Sequence, residues 1–255
     1  MRIRTLWLVL ALAACASPPA TGVFLDGVFD VPDELVTAAV PADEMRYLIH
    51  FPAEWSPGSD VPLVVFLHGS GDADYDTRWV TAYGLPAAVR FDALPADVEP
   101  FVLLVPQATP GTSWAAGKQP ETVVALIDQV IADHDLPADR VALTGVSMGG
   151  YGAWHIASRF PDRFSAVVSV SGSGYGTTEL PTDIDVCALA QTSLRAYHGD
   201  SDMISLLALN LELIRAWEER CGSDVDLRVL AGEGHFTTAQ VVYEDPAFYD
   251  WLLRD

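Results

Sequence analysis

Five short apolar runs constrain this chain more than any other feature. Val61 to Leu67, Phe101 to Val105, Val141 to Leu143, Ala166 to Val170 and Leu194 to Tyr197 are mostly continuous rather than alternating, as strands covered on both faces require. Between and after them, apolar residues recur at helical spacing. Val123, Ile127, Val130 and Ile131 share one face, as do Leu207, Leu211, Ile214 and Trp217, and the pattern returns at Phe248, Trp251 and Leu252. Strand and helix alternating in this way predict an α/β fold: a mostly parallel sheet, right-handed crossovers and helices on both faces. At 255 residues, half of them hydrophobic, the chain can close one large core but not two enzyme-sized domains.

The N-terminus is read apart from that core. Arg2 and Arg4 precede an apolar run from Leu6 to Ala14, the layout of a secretory signal and too short to span a bilayer. The run ends in Leu12-Ala13-Ala14-Cys15, which resembles the bacterial lipobox, whose Cys is acylated and becomes the new N-terminus. Residues 1–15 are therefore expected to be a lipoprotein signal peptide with Cys15 lipidated, 16–23 a Pro-containing tether, and 24–255 a single catalytic domain. The expected location is the cell envelope, with the lipid as the only hold on the membrane. Thirty-five acidic against 14 basic residues give a net charge of −21, and Lys118 is the only lysine, so nucleic acid and anionic lipid are both poor partners. Once Cys15 is set aside, Cys187 and Cys221 form an even pair suited to an oxidising compartment, as one disulfide or as two thiols. Neither has a Cys or His at metal-ligand spacing, and no pattern calls for a metal or organic cofactor.

In a parallel sheet ligands bind at the carboxyl ends of the strands, so chemistry is sought just after each strand. Four segments there carry it: His68-Gly69-Ser70-Gly71, Gly145-Val146-Ser147-Met148-Gly149, His198-Gly199-Asp200-Ser201-Asp202 and Gly232-Glu233-Gly234-His235. Gly-x-Ser-x-Gly alone is a weak signal. Set between a strand and a helix start it becomes a strong one, because a strained turn exposing the serine demands glycine on both sides. Ser147 is the expected nucleophile, with the Met148 N–H and the helix N-terminus where an oxyanion would form. Of six histidines only His198 and His235 follow at a suitable distance. His235 comes last, in a glycine-flanked loop, and is the expected general base, while His198 and His68 read as structural. The orienting acid is left among Asp200, Asp202, Asp183 and Asp185, and the second oxyanion donor between the N–H groups of Ser70 and Gly71.

Taken together, the Leu67-His68-Gly69-Ser70-Gly71 loop, the stretch from Leu143 to Trp154, the His-Gly-x-x-Asp at 198 to 202, and Gly234-His235 with Asp245 to Leu252 resemble the secreted carboxylesterases and the feruloyl or polyhydroxybutyrate esterases of the α/β-hydrolase fold. The resemblance covers nearly the whole chain after the tether. It implies Asp202 as the acid, Ser70 as the donor after His-Gly, and Trp114 as an aromatic beside the acyl site, a position that packing would explain equally well. Met203-Ile204-Ser205 after Asp202 and Phe236-Thr237-Thr238 after His235 depart from the family pattern. The expected activity is serine carboxylic ester hydrolysis through an acyl-enzyme, on short acyl, feruloyl or hydroxyalkanoate esters, free or borne on a polymer. A serine peptidase and a non-catalytic binding lipoprotein are the other readings. An amide substrate must be gripped over several residues, and the chain has no length to spare for a cap. The site is accordingly expected to be open and shallow, walled by Ser70 to Asp76 and Gly111 to Gly117.

Overall fold

A computed structural model describes residues 22–72, 76–172, 187–222 and 225–254. Cys15, the signal segment, most of the tether and the alternative acids Asp183 and Asp185 lie outside the described residues. Among those described, eight strands form one sheet in the order β1-β2-β4-β3-β5-β6-β7-β8. The strands are β1 (Phe24–Asp30), β2 (Glu44–His50), β3 (Leu63–Leu67), β4 (Val102–Pro106), β5 (Val141–Val146), β6 (Ala166–Val170), β7 (Leu194–Gly199) and β8 (Asp226–Leu230). The helices are α1 (Gly84–Arg90), α2 (Gln119–His134), α3 (Met148–Arg159), α4 (Leu207–Cys221), α5 (His235–Glu244) and α6 (Pro246–Leu252).

The six strands from β3 to β8 pair in parallel, whereas β1 with β2 and β2 with β4 run antiparallel. The central strands bury every residue, so their side chains divide by period two between two cores. Leu63, Val65 and Leu67 of β3 join Leu126 of α2, Trp154 of α3 and Trp217 of α4 on one face. Val64 and Phe66 join Leu85 of α1, Tyr243 of α5 and Phe248 of α6 on the other. The expected two-faced parallel sheet is therefore what forms, with an antiparallel edge in addition. A disulfide joins Cys187, just before β7, to Cys221 at the end of α4.

Candidate active site

β5 ends at Val146 and α3 begins at Met148, so Ser147 is the single residue between strand and helix. Its backbone lies at φ 58°, ψ −118°, a positive-φ conformation that costs a non-glycine residue about 1–3 kcal/mol. Hydrogen bonds hold it there: the Ser147 N–H donates to the Val170 carbonyl at 2.9 Å, and its carbonyl accepts the Tyr151 N–H at 3.0 Å. Glycine is required beside it because α3 crosses the strand ends at backbone contact. A Cβ on Gly149 would lie 1.9 Å from the Leu67 carbonyl oxygen, and one on Gly145 would lie 2.5 Å from Gly149. Val146 pairs with Val170, so Ser147 leaves the sheet beside Ser171, which also adopts positive φ, at 50°. The first-turn N–H groups of α3, Met148's included, have no acceptor within the helix and face the serine end.

Two carboxylates follow β7, and their bonding separates them. Asp200 is exposed and accepts from Ser201 Oγ at 3.0 Å and Gly232 N–H at 2.8 Å, a brace between two turns. Asp202 is 4% exposed; its Oδ1 accepts the N–H groups of Ile204 at 2.9 Å and Ser205 at 2.8 Å, and its Oδ2 lies 2.8 Å from His235 Nδ1. Burial alone would raise this carboxyl. The His235 hydrogen bond and the two backbone donors more than offset that, and hold it below the usual carboxylate range. Ionised Asp202 fixes the Nδ1–H tautomer of His235 and leaves Nε2 as the basic nitrogen. His198 lies fully buried beneath this pair. Its Nε2–H donates to the Ser205 carbonyl at 2.6 Å, and its Nδ1 accepts from Asn210 Nδ2 at 3.0 Å. Burial pushes its pKa down, so it stays neutral and supports the turn whose N–H groups grip Asp202.

The loop after β3 is held as firmly. His68 is fully buried, donates through Nδ1 to the Gly69 carbonyl at 2.8 Å and accepts the Ala108 N–H through Nε2 at 3.1 Å. Burial takes its pKa down to about 4. The Gly69 N–H is consumed by Tyr83 Oη at 2.7 Å, and that hydroxyl donates in turn to Asp72 Oδ2 at 2.8 Å. Ser70, the next residue, is exposed on the turn, and a Cβ on Gly69 would lie 3.7 Å from the Ser147 Cβ. The loop bearing the Ser70 N–H therefore borders Ser147.

Two positions differ from their expected settings. Trp114 takes the packing role: it is fully buried, donates Nε1–H to the His68 carbonyl at 2.9 Å and packs where a Gly152 Cβ would lie 2.4 Å from its own. His235 is the first residue of α5 rather than part of a loop, with Gly234 as N-cap. A groove beside this rim is walled by α1 and α5. Tyr83 and Asn210 carry second-layer bonds that no motif signalled.

Among curated proteins the chain is 30% identical over 131 residues to a bifunctional acetylxylan esterase/xylanase of Neocallimastix patriciarum, a match covering 49% of this chain and 17% of that protein. It is 24% identical over 223 residues to feruloyl esterase B of Neurospora crassa, covering 72% and 73%. The chain spans less than a fifth of the length of the first curated relatives it matches. Among solved structures, a thermostable esterase superposes with a TM-score of 0.72 at 22% identity, over 90% of this chain and 62% of that one, a likeness of fold. The family match includes Ser147 and stops short of Asp202 and His235. Residues 38–195, more than half of the sequence, match the family described as putative esterase, and the chain belongs to that family.

Proposed function

We propose that the protein is a carboxylic ester hydrolase in which Ser147 is the nucleophile, His235 the general base and Asp202 the orienting acid. The observation that carries this reading is the buried Asp202 carboxylate bonded at 2.8 Å to His235 Nδ1, on the same rim as a serine held at φ 58° between strand and helix. In this mechanism Ser147 Oγ attacks the ester carbonyl carbon while His235 Nε2 takes its proton. The oxyanion is received by the N–H groups of Met148 and Ser70. The C–O bond to the alcohol then breaks, and the imidazolium returns the proton to the departing oxygen. Water, deprotonated by the same imidazole, releases the acid from Ser147. Short acyl esters are the expected class, with feruloyl or hydroxyalkanoate esters as natural forms. The Cys187–Cys221 bridge supports an exported location, and the Cys15 lipobox a lipid anchor.

The test is a fluorophosphonate label followed by peptide mapping, run beside assays on ethyl acetate, butyrate esters and a peptide amide. Labelling at Ser147 with turnover of the short esters is the expected result. A label elsewhere, or amide cleavage as fast as ester cleavage, overturns the assignment.

A further inference from the structure

Between α1 and α5 runs a groove of about 370 Å³, within the size range of small-molecule sites. Ala87, Ala88 and Gly84 of α1 face Phe236 and Tyr243 of α5 across it. Two of its walls belong to the candidate active site. Phe236 directly follows His235, with ring centroids 5.3 Å apart in an edge-on arrangement, and is 68% exposed. Tyr83, on the other side, accepts the Gly69 N–H with its hydroxyl. The groove therefore lies between α1 and α5 with its Phe236 wall next to His235 in sequence and its Tyr83 wall bonded to the loop after β3. Its lower end is polar, where Gln240 Nε2–H donates to Glu244 Oε1 at 3.2 Å.

We propose that this groove binds the alcohol half of the ester, and that the preferred alcohol is uncharged and apolar, an alkyl or aryl group of about six carbons or more. The inference rests on the ester-hydrolase reading and adds the substrate class to it. Its basis is the position of His235. The imidazolium must hand its proton to the leaving oxygen, so whatever is attached to that oxygen starts within hydrogen-bond reach of the ring. The apolar wall starts at the next residue. The acyl half is instead bonded to Ser147 at the end of β5. Glu244 in the groove, Asp72 behind Tyr83 and a net charge of −21 all oppose an anionic alcohol.

The proposal is tested on the intact protein by comparing kcat/KM for ethyl acetate, hexyl acetate and ethyl hexanoate, with Ala87→Phe to fill the groove and Phe236→Ala to remove a wall. The expected result is a preference for hexyl over ethyl acetate of about tenfold or more, expressed mainly in KM, with competitive inhibition by hexan-1-ol. Both variants lose most of that preference, Ala87→Phe the more completely. Phe236 is on the surface, so its variant remains informative if Ala87→Phe fails to fold. Equal rates on the two acetates, a preference that appears with ethyl hexanoate instead, or a preference that survives both variants overturns the proposal. Turnover of ethyl acetate without discrimination overturns the groove alone, whereas failure on all three esters with no label on Ser147 overturns the parent reading as well.

Discussion

His198 and His235 approach the same carboxylate oxygen, and the contrast between them separates a scaffold histidine from the proposed general base. His198 Nε2 lies 3.6 Å from Asp202 Oδ2 and His235 Nδ1 lies 2.8 Å from it. Both nitrogens of His198 are committed, one to the Ser205 carbonyl and one to Asn210, and the ring is fully buried. Among the described residues the only hydrogen bond of the His235 ring is the one its Nδ1–H donates to Asp202, and this ring sits at the start of a helix on the rim. A histidine with one nitrogen clamped and the other uncommitted can move a proton. One with both committed can only hold other groups in place.

The sharpest way to break this comparison is to remove each partner in turn. Ser147→Ala and His235→Ala are each expected to lower kcat by about a thousandfold or more with the thermal midpoint nearly unchanged, because both act in the same chemical unit. Phosphonate labelling should fall with His235→Ala, and full labelling of that variant would show that another base serves the serine. Next in size, Asp202→Asn is expected to cost about a hundredfold or more in kcat and Asp200→Asn less than tenfold, since only Asp202 bonds an imidazole. The opposite ranking would move the acid to the turn brace.

His198→Gln is expected to reverse the pattern of His235→Ala: kcat within about tenfold, but a clear fall in the denaturation midpoint, because a buried donor and acceptor lose their partners. A collapse of kcat at unchanged stability would exchange the roles of the two rings. The smallest effect is on stability against pH. Burial holds His68 at about 4 and His198 below its ordinary value, so between pH 6.5 and 4 the unfolded chain binds protons that the native chain refuses. Stability is thus full above about pH 6.5 and declines as pH falls, by on the order of 3 kcal/mol at pH 4 for His68 alone. The depressed Asp202 carboxyl adds to the same decline at lower pH. A midpoint flat from pH 7 to 4 would show that neither ring is held neutral.

These contrasts also explain what could be read in advance. β3 to β7 were legible because strands covered on both faces are written as unbroken apolar runs. β1 and β2 escaped because they form an antiparallel edge, where Asp26, Asp30, Glu44 and Arg46 alternate with apolar residues and no continuous run forms. Ser147 and its glycines were legible as a local pattern imposed by backbone crowding. The start of α5 at His235 was not, because Gly232 and Gly234 spell a loop and the cap that converts it lies in Thr237 and Thr238. Trp114 was equally opaque: whether an aromatic faces a ligand or the interior depends on Gly152, 38 positions away in sequence and beneath it in space.

The Cys187–Cys221 bridge ties off a covalent ring, and what lies inside the ring matters. It encloses β7, His198, Asp202 and Asn210, the proposed acid and its whole supporting turn, while Ser147 and His235 both lie outside. Thiol reductants are therefore expected to act on one member of the proposed catalytic set and to spare the other two. Reduction is expected to loosen the carboxylate's segment first, so that turnover declines while Ser147 is still presented on its elbow and still reacts with phosphonate.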